Sequence, residues 1–145
     1  MKLSIEKIGY ESEEEIIIKC HEVNDEVLEW VNRFKTKTDV LLGYAGEGIY
    51  RIQPKDVYYF ESVDNKVFIY CKDKDYESKQ KLYELEELYG GKRFFRASKS
   101  VILNLTKISC VIPSISGRFE AKLENGETVV ISRQYVPVVK QMLGI

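Results

Sequence analysis

Arg96, Ser98, Lys99 and Ser100 crowd a guanidinium, an ammonium and two hydroxyls into five positions of the segment Phe94–Asn104, F-F-R-A-S-K-S-V-I-L-N. These groups are donors to phosphate oxygens and to the acceptor edges of bases. The planar fork of Arg suits a phosphate or the O6/N7 edge of guanine, and Lys acts as a point charge. Two rings open the segment and Val-Ile-Leu closes it. Apolar flanks anchor a strand or turn, so the polar middle must face out.

Other positions offer the same chemistry. Arg133 follows V-V-I-S, with Ser132 before it and Gln134 after it. Glutamine can pair bidentately with adenine N6/N7. Asn65 and Lys66 lie in a turn that Asp64 shares; Arg118 follows Ser116-Gly117 in a longer loop. Lys92 and Arg93 read as electrostatic helpers that hold phosphates without reading bases. The formal charge of −1 conceals a division. Residues 1–91 hold 13 Lys plus Arg against 20 Asp plus Glu, and residues 92–145 hold 9 against 3. A polyanion would therefore meet the last third of the chain.

Several chemistries find no support. A Ser-His-Asp arrangement would need His21, which stands in the acidic first segment. G-Y-A-G-E-G and Y-G-G-K-R lack the G-K-[ST] ending of a phosphate-binding loop. Cys20, Cys71 and Cys110 are widely spaced with a single histidine, so no metal site and no cofactor is expected. The cysteines read as free thiols, with Cys110 a small buried filler. No apolar run approaches a bilayer span, and M-K-L-S-I-E-K-I is not a secretion signal, which points to the cytoplasm.

The elements that must position these residues follow from periodicity. Residues 1–8 and 16–20 read as short strands, the first by alternation and the second by its isoleucines. A helix over 25–35 follows, capped by Asn24 or Asp25, with Val27, Leu28, Val31 and Phe34 at helical spacing. From Val40 the pattern turns to β. Two strands meet at a turn over 45–48, and strands at 57–61 and 67–71 flank V-D-N-K. A second helix spans 78–89, with Leu82, Leu85 and Leu88 inward and Gly90-Gly91 as its stop. Strands at 94–96, 101–103, 108–112, 118–123 and 128–132 close the β pattern. Asn125-Gly126 joins the last two, and a short helix over 135–143 ends the chain. The division is a small β-β-α segment over 1–38 and a mainly β (α+β) domain over 39–145.

Three blocks carry a resemblance. Phe95, Arg96, Lys99, Ser100, Asn104 and Ile108 fall on the pattern F-x-R-x-H-[RK]-S-x-x-V-N plus a following Ile. G-R-F-E-A-K-L-E-N-G-E-T-V-V-I-S-R-Q-Y and D-V-Y-Y-F-E-S match two further blocks, in order, over about residues 54–143. Together they resemble the LytTR-type DNA-binding domain of bacterial transcription regulators. The resemblance implies an elongated antiparallel β fold of stacked small sheets. It also implies a non-enzymatic regulator that reads the major groove of double-stranded DNA with loops between strands. On this reading the DNA-contacting residues are Asn65, Lys66, Arg96, Ser98, Lys99, Ser100, Arg118, Arg133 and Gln134. Asn104 would hold the motif's shape, and Tyr135 would pack. Ser98 stands where the family usually has His, which bears on which DNA sequence is read. The length leaves no room for a receiver domain. The first segment either packs on the β domain or makes a homodimer, and a small membrane protein is the regulatory partner the resemblance suggests. Two rival readings are a protein-interaction module working through the acidic first part, and a small-molecule sensor with a pocket among Tyr58, Tyr59 and Phe60.

Overall fold

A computed structural model describes residues 1–36, 40–91 and 93–145. The chain divides into two compact units, Met1–Asp39 and Val40–Ile145.

In the first unit, α1 (Asp25–Thr36) starts where Asn24 Oδ1 accepts the Val27 N–H at 3.0 Å, an N-cap that satisfies one of the helix's orphan donors. The two strands expected at 1–8 and 16–20 are not formed: the described residues before α1 carry no strand. Alternation fixes which side chains share a face but supplies no backbone partner, and an isolated strand pair is marginal in water.

Among the described residues the second unit holds ten strands in two antiparallel sheets. In chain order they are β1 (Leu41–Ala45), β2 (Gly48–Ile52), β3 (Val57–Val63), β4 (Lys66–Cys71), β5 (Asp75–Ser78), β6 (Phe94–Ser98), β7 (Val101–Asn104), β8 (Ile108–Pro113), β9 (Phe119–Leu123) and β10 (Thr128–Ile131). The large sheet runs β2-β1-β5-β4-β3-β7-β6 and the small one β10-β9-β8. Helices α2 (Leu82–Tyr89) and α3 (Val136–Leu143) complete the unit, so the mostly antiparallel β reading holds.

Two apolar cores fill it. One face of the large sheet buries Leu41, Phe60, Ile69, Phe94 and Ile102 with Leu82 and Leu85 of α2. A second core joins Tyr58, Phe95, Ala97 and Leu103 to Phe119, Ala121 and Ile131 of the small sheet and to Val139 of α3. Tyr58 and Phe60 thus serve different cores and Tyr59 stacks on Tyr70 at 4.4 Å, so the three do not line one pocket. Three details differ from expectation. Ser78 ends β5 and α2 starts at Leu82, with Leu88 38 % exposed while Tyr89 packs inward. The strand β5 has little strand propensity of its own and exists because β4 and β1 pair with it on either side. Cys110 is exposed, because it lies on β8, an edge strand with a register irregularity between Ile108 and Cys110.

Candidate nucleic-acid interface

Four connections carry the residues of interest. The β3–β4 connection is a two-residue hairpin in which Asp64 and Asn65 both take positive φ, 50° and 65°. Such a turn matches the strands' own twist, and Asp and Asn tolerate the left-handed region better than most residues. It leaves Asn65 and Lys66 exposed.

The β6–β7 turn lies beside that hairpin. Glu61 of β3 pairs with Val101 of β7, and the Ser62 N–H donates to Ser100 O at 2.8 Å. Inside the turn the Ser100 N–H donates to Ser98 Oγ at 3.3 Å. Arg96 turns inward. Its Nε donates to Ser98 O at 2.9 Å, its Nη2 to Lys99 O at 2.7 Å, and its Nη1 lies 3.3 Å from Glu86 Oε2 on α2. Its side chain is only 23 % exposed. The guanidinium thus fastens the backbone that presents Lys99, and Lys99 itself is exposed.

The third connection runs from β10 into α3. The β6 ladder shifts register between Arg96 and Ser98, which leaves Ala97 as a bulge. The bulged carbonyl is taken up by Ser132, whose N–H and Oγ reach Ala97 O at 2.8 and 3.2 Å. Arg133 and Gln134 follow at once, both exposed, in a 3-10 turn that leads into α3. Tyr135 is half-buried against the second core, as expected for a packing residue.

The fourth connection, β8 to β9, is tied by Ser114, whose N–H and Oγ both donate to Arg118 O, at 2.8 and 3.0 Å. Gly117 sits at φ +83° directly against Arg133: a Cβ built there would stand 3.4 Å from Arg133 Cγ. The backbone conformation calls for glycine. Arg118 is exposed, and Ile115 projects at the loop apex, fully exposed at 109 %. Ile115 was missed by motif reasoning. Its one signal in the sequence is an isoleucine set between serines in a turn that has no core to fill.

These bonds gather the expected residues along one edge. Asn65 and Lys66 stand beside Ser98, Lys99 and Ser100 through Ser62; Arg133 and Gln134 join through Ala97 and Ser132; Arg118 joins through Gly117. Arg93 is half-buried and its carbonyl accepts the Leu105 N–H at 2.6 Å, while Lys92 lies outside the described residues. Asn104 takes the scaffold role. Fully buried, it donates through Nδ2 to Val57 O at 2.7 Å, and its Oδ1 accepts the Thr106 N–H at 3.0 Å and the Thr106 hydroxyl at 2.7 Å. Two of the acids in the basic third of the chain sit at the opposite turn of the small sheet. There burial, with the Tyr59 hydroxyl donating to Glu127, raises the tyrosine's pKa; Tyr58 is raised by burial and by the charge of Glu124.

Comparison with known proteins decides the family. The model of the LytTr DNA-binding domain matches residues 47–144. The chain belongs to the LytTr DNA-binding domain family. Among solved structures it is similar to the LytTr DNA-binding domain of a protein described as a methyl-accepting/DNA response regulator from Bacillus cereus. That match has a TM-score of 0.70 and 26 % identity over 74 % of this chain and 99 % of that one. Curated relatives from Staphylococcus aureus strains NCTC 8325 / PS 47 and COL are each 29 % identical over all of this chain and 99 % of their own length. Both are named as uncharacterized HTH-type transcriptional regulators. In the LytTr domain described here the two α-helices among the described residues, α2 and α3, are separated by strands β6 to β10. No helix among the described residues is long and apolar enough to cross a membrane.

Proposed function

We infer that this LytTr protein is a sequence-specific transcription regulator that docks its four-loop edge on double-stranded DNA and reads the major groove. The observation that carries the reading is the chain of bonds from Ser62 to Ser100 and from Ala97 to Ser132, with the Gly117 backbone lying near the Arg133 side chain. These ties support reading the four loops as one edge that bears Lys66, Lys99, Arg118 and Arg133 in exposed positions. A loop backbone fixed in advance loses little entropy on binding.

The roles divide by chemistry. Arg133 and Gln134 are the base readers, because a fork and an amide match guanine and adenine edges bidentately. Lys66, Lys99 and Arg118 hold phosphates, with Asn65, Ser98 and Ser100 adding neutral hydrogen bonds. Arg96 positions the turn. Ile115 supplies the apolar contact and suits a thymine methyl.

Selection from a random duplex library, followed by fluorescence polarisation of selected and mixed-sequence duplexes over a salt series, tests this. We expect a preferred sequence and a steep fall of affinity with salt. A chain lacking the four exposed cations (Lys66, Lys99, Arg118 and Arg133 all changed to Ala) that still bound the selected duplex like wild type would sink the proposal.

A further inference from the structure

Ser132 puts its hydroxyl to a use that its position does not call for. It stands at the N-cap of the 3-10 turn Arg133–Tyr135, where a serine hydroxyl ordinarily accepts an N–H of the turn, yet it makes no such bond. Asn24 and Asn104 do cap in this chain, by accepting the N–H groups of Val27 and Thr106. The Ser132 hydroxyl instead donates to Ala97 O at 3.2 Å, beside the Ser132 N–H at 2.8 Å. Ala97 is fully buried at the β6 register shift, so its carbonyl needs a partner from outside the ladder. The amide alone meets that need. The hydroxyl is a second bond from the same residue to the same acceptor, and its removal orphans no buried group.

What the second bond adds is direction. A residue held by its amide alone can rotate about the N–H···O line; held through its amide and its hydroxyl together, it cannot turn without breaking one of them. Ile131 before it and Val136 after it are buried in the second core, which fixes where the loop starts and ends. Between them Arg133 and Gln134 are exposed, so a rotation at residue 132 passes directly to them. Bidentate pairing with a base edge needs its donors within roughly 10–20° of the productive geometry. A phosphate contact is more forgiving, because there the side chain acts largely as a charge. The place of the acceptor matters too. Ala97 precedes Ser98, whose carbonyl takes Arg96 Nε and whose hydroxyl takes the Ser100 N–H. The double bond at Ala97 therefore ties Arg133 and Gln134 to the strand that carries the Lys99 turn, and sets the offset between base reader and phosphate holder.

We propose that the Ser132 hydroxyl is a positioning group that determines sequence preference, by fixing the direction in which Arg133 and Gln134 leave the β6 bulge. This rests on the reading of those two residues as base readers. The test uses the full chain, the duplex selected from the random library and a mixed-sequence duplex. Ser132→Ala keeps the amide bond to Ala97 and leaves Lys66, Lys99, Arg118 and Arg133 intact. It should lower the ratio of affinities for the selected over the mixed duplex by about tenfold, the worth of one bidentate pair. Affinity for the mixed duplex, its salt slope and the urea unfolding midpoint should stay at wild type. Ser132→Thr retains a hydroxyl and should restore the ratio. Backbone amide relaxation without DNA should show residues 133 and 134 more mobile in Ser132→Ala than in wild type. A hydroxyl that only stabilised the fold would lower the unfolding midpoint and leave the ratio alone. One that only touched phosphate would weaken both duplexes equally. Either result, or a folded Ser132→Thr that behaves like Ser132→Ala, would overturn the proposal. A wild type without a preferred duplex would defeat the base-reading assignment instead, and the relaxation measurement would still decide whether Ser132 fixes the two residues.

Discussion

Arg96, in strand β6, and Arg133, in the turn after β10, put the same side chain to opposite uses. Arg96 spends its guanidinium on its own chain, on Ser98 O, Lys99 O and Glu86, and shows little of itself to solvent. Arg133 is exposed, and it is the backbone next to it that is fixed, by Ser132 on the Ala97 bulge. Residues 94–104, Lys99 apart, thus build the platform, whereas Arg133 and Gln134 look outward. The lesson is that density of donors in a sequence marks where an edge is built, and exposure decides which donors are left to bind.

The sharpest way to break this contrast is at Asn104, the inward region's deepest group. Asn104→Ala would strand Val57 O and remove the acceptor of the Thr106 N–H inside the fold. The expected cost is on the order of 3 kcal/mol, read as a lowered midpoint in urea unfolding. A midpoint equal to wild type would mean that the motif does not depend on its buried amide. Arg133→Ala should do the reverse. Its unfolding midpoint should match wild type while affinity for the preferred duplex falls by about 1–3 kcal/mol and the preference over unrelated sequences narrows. Equal binding by wild type and Arg133→Ala in a gel-shift series would remove Arg133 from the readers.

Much of this was legible before any coordinates, and for definite reasons. Asp64-Asn65 and Gly126 declare their turns because few other residues tolerate positive φ there. The helix α2 announces itself through leucines at helical spacing. What stayed hidden depends on partners remote in sequence. The strand Asp75–Ser78 is made by its two neighbours and not by its own residues. The runs at 1–8 and 16–20 are the converse, with strand-like residues and no partner strand. At the interface the residue types were readable, but the inward turn of Arg96 needed Glu86 on a different element, and the Ala97 bulge needed Ser132, thirty-five residues on. Ile115 matched no pattern at all, because an exposed apolar side chain has meaning only once its loop is known to stand beside Arg133.

Arg96 itself should show a mixed, intermediate effect. Arg96→Ala is expected to cost about 1 kcal/mol of stability, chiefly through the two carbonyl bonds, since the half-exposed pair with Glu86 contributes less. It should weaken DNA binding only as far as the Lys99 turn loosens. Arg96→Lys keeps the charge but cannot fork across acceptors, so it should resemble Arg96→Ala in thermal unfolding. Rescue by lysine would show that charge, and not the fork, is what the turn needs.

The smallest effect separates the two uses most cleanly. Lys99 is exposed on the turn that Arg96 holds, and it is assigned to phosphate alone. Lys99→Ala should lower the slope of log affinity against log salt by about 0.9, one counterion's worth, equally on preferred and mixed duplexes. Arg133→Ala should change the ratio between those duplexes instead. Arg96→Ala should leave the slope close to wild type, because an arginine bonded to its own turn releases no counterion from DNA. A slope that fell with Arg96→Ala and not with Lys99→Ala would exchange the roles of the two side chains, and with them the distinction between platform and contact.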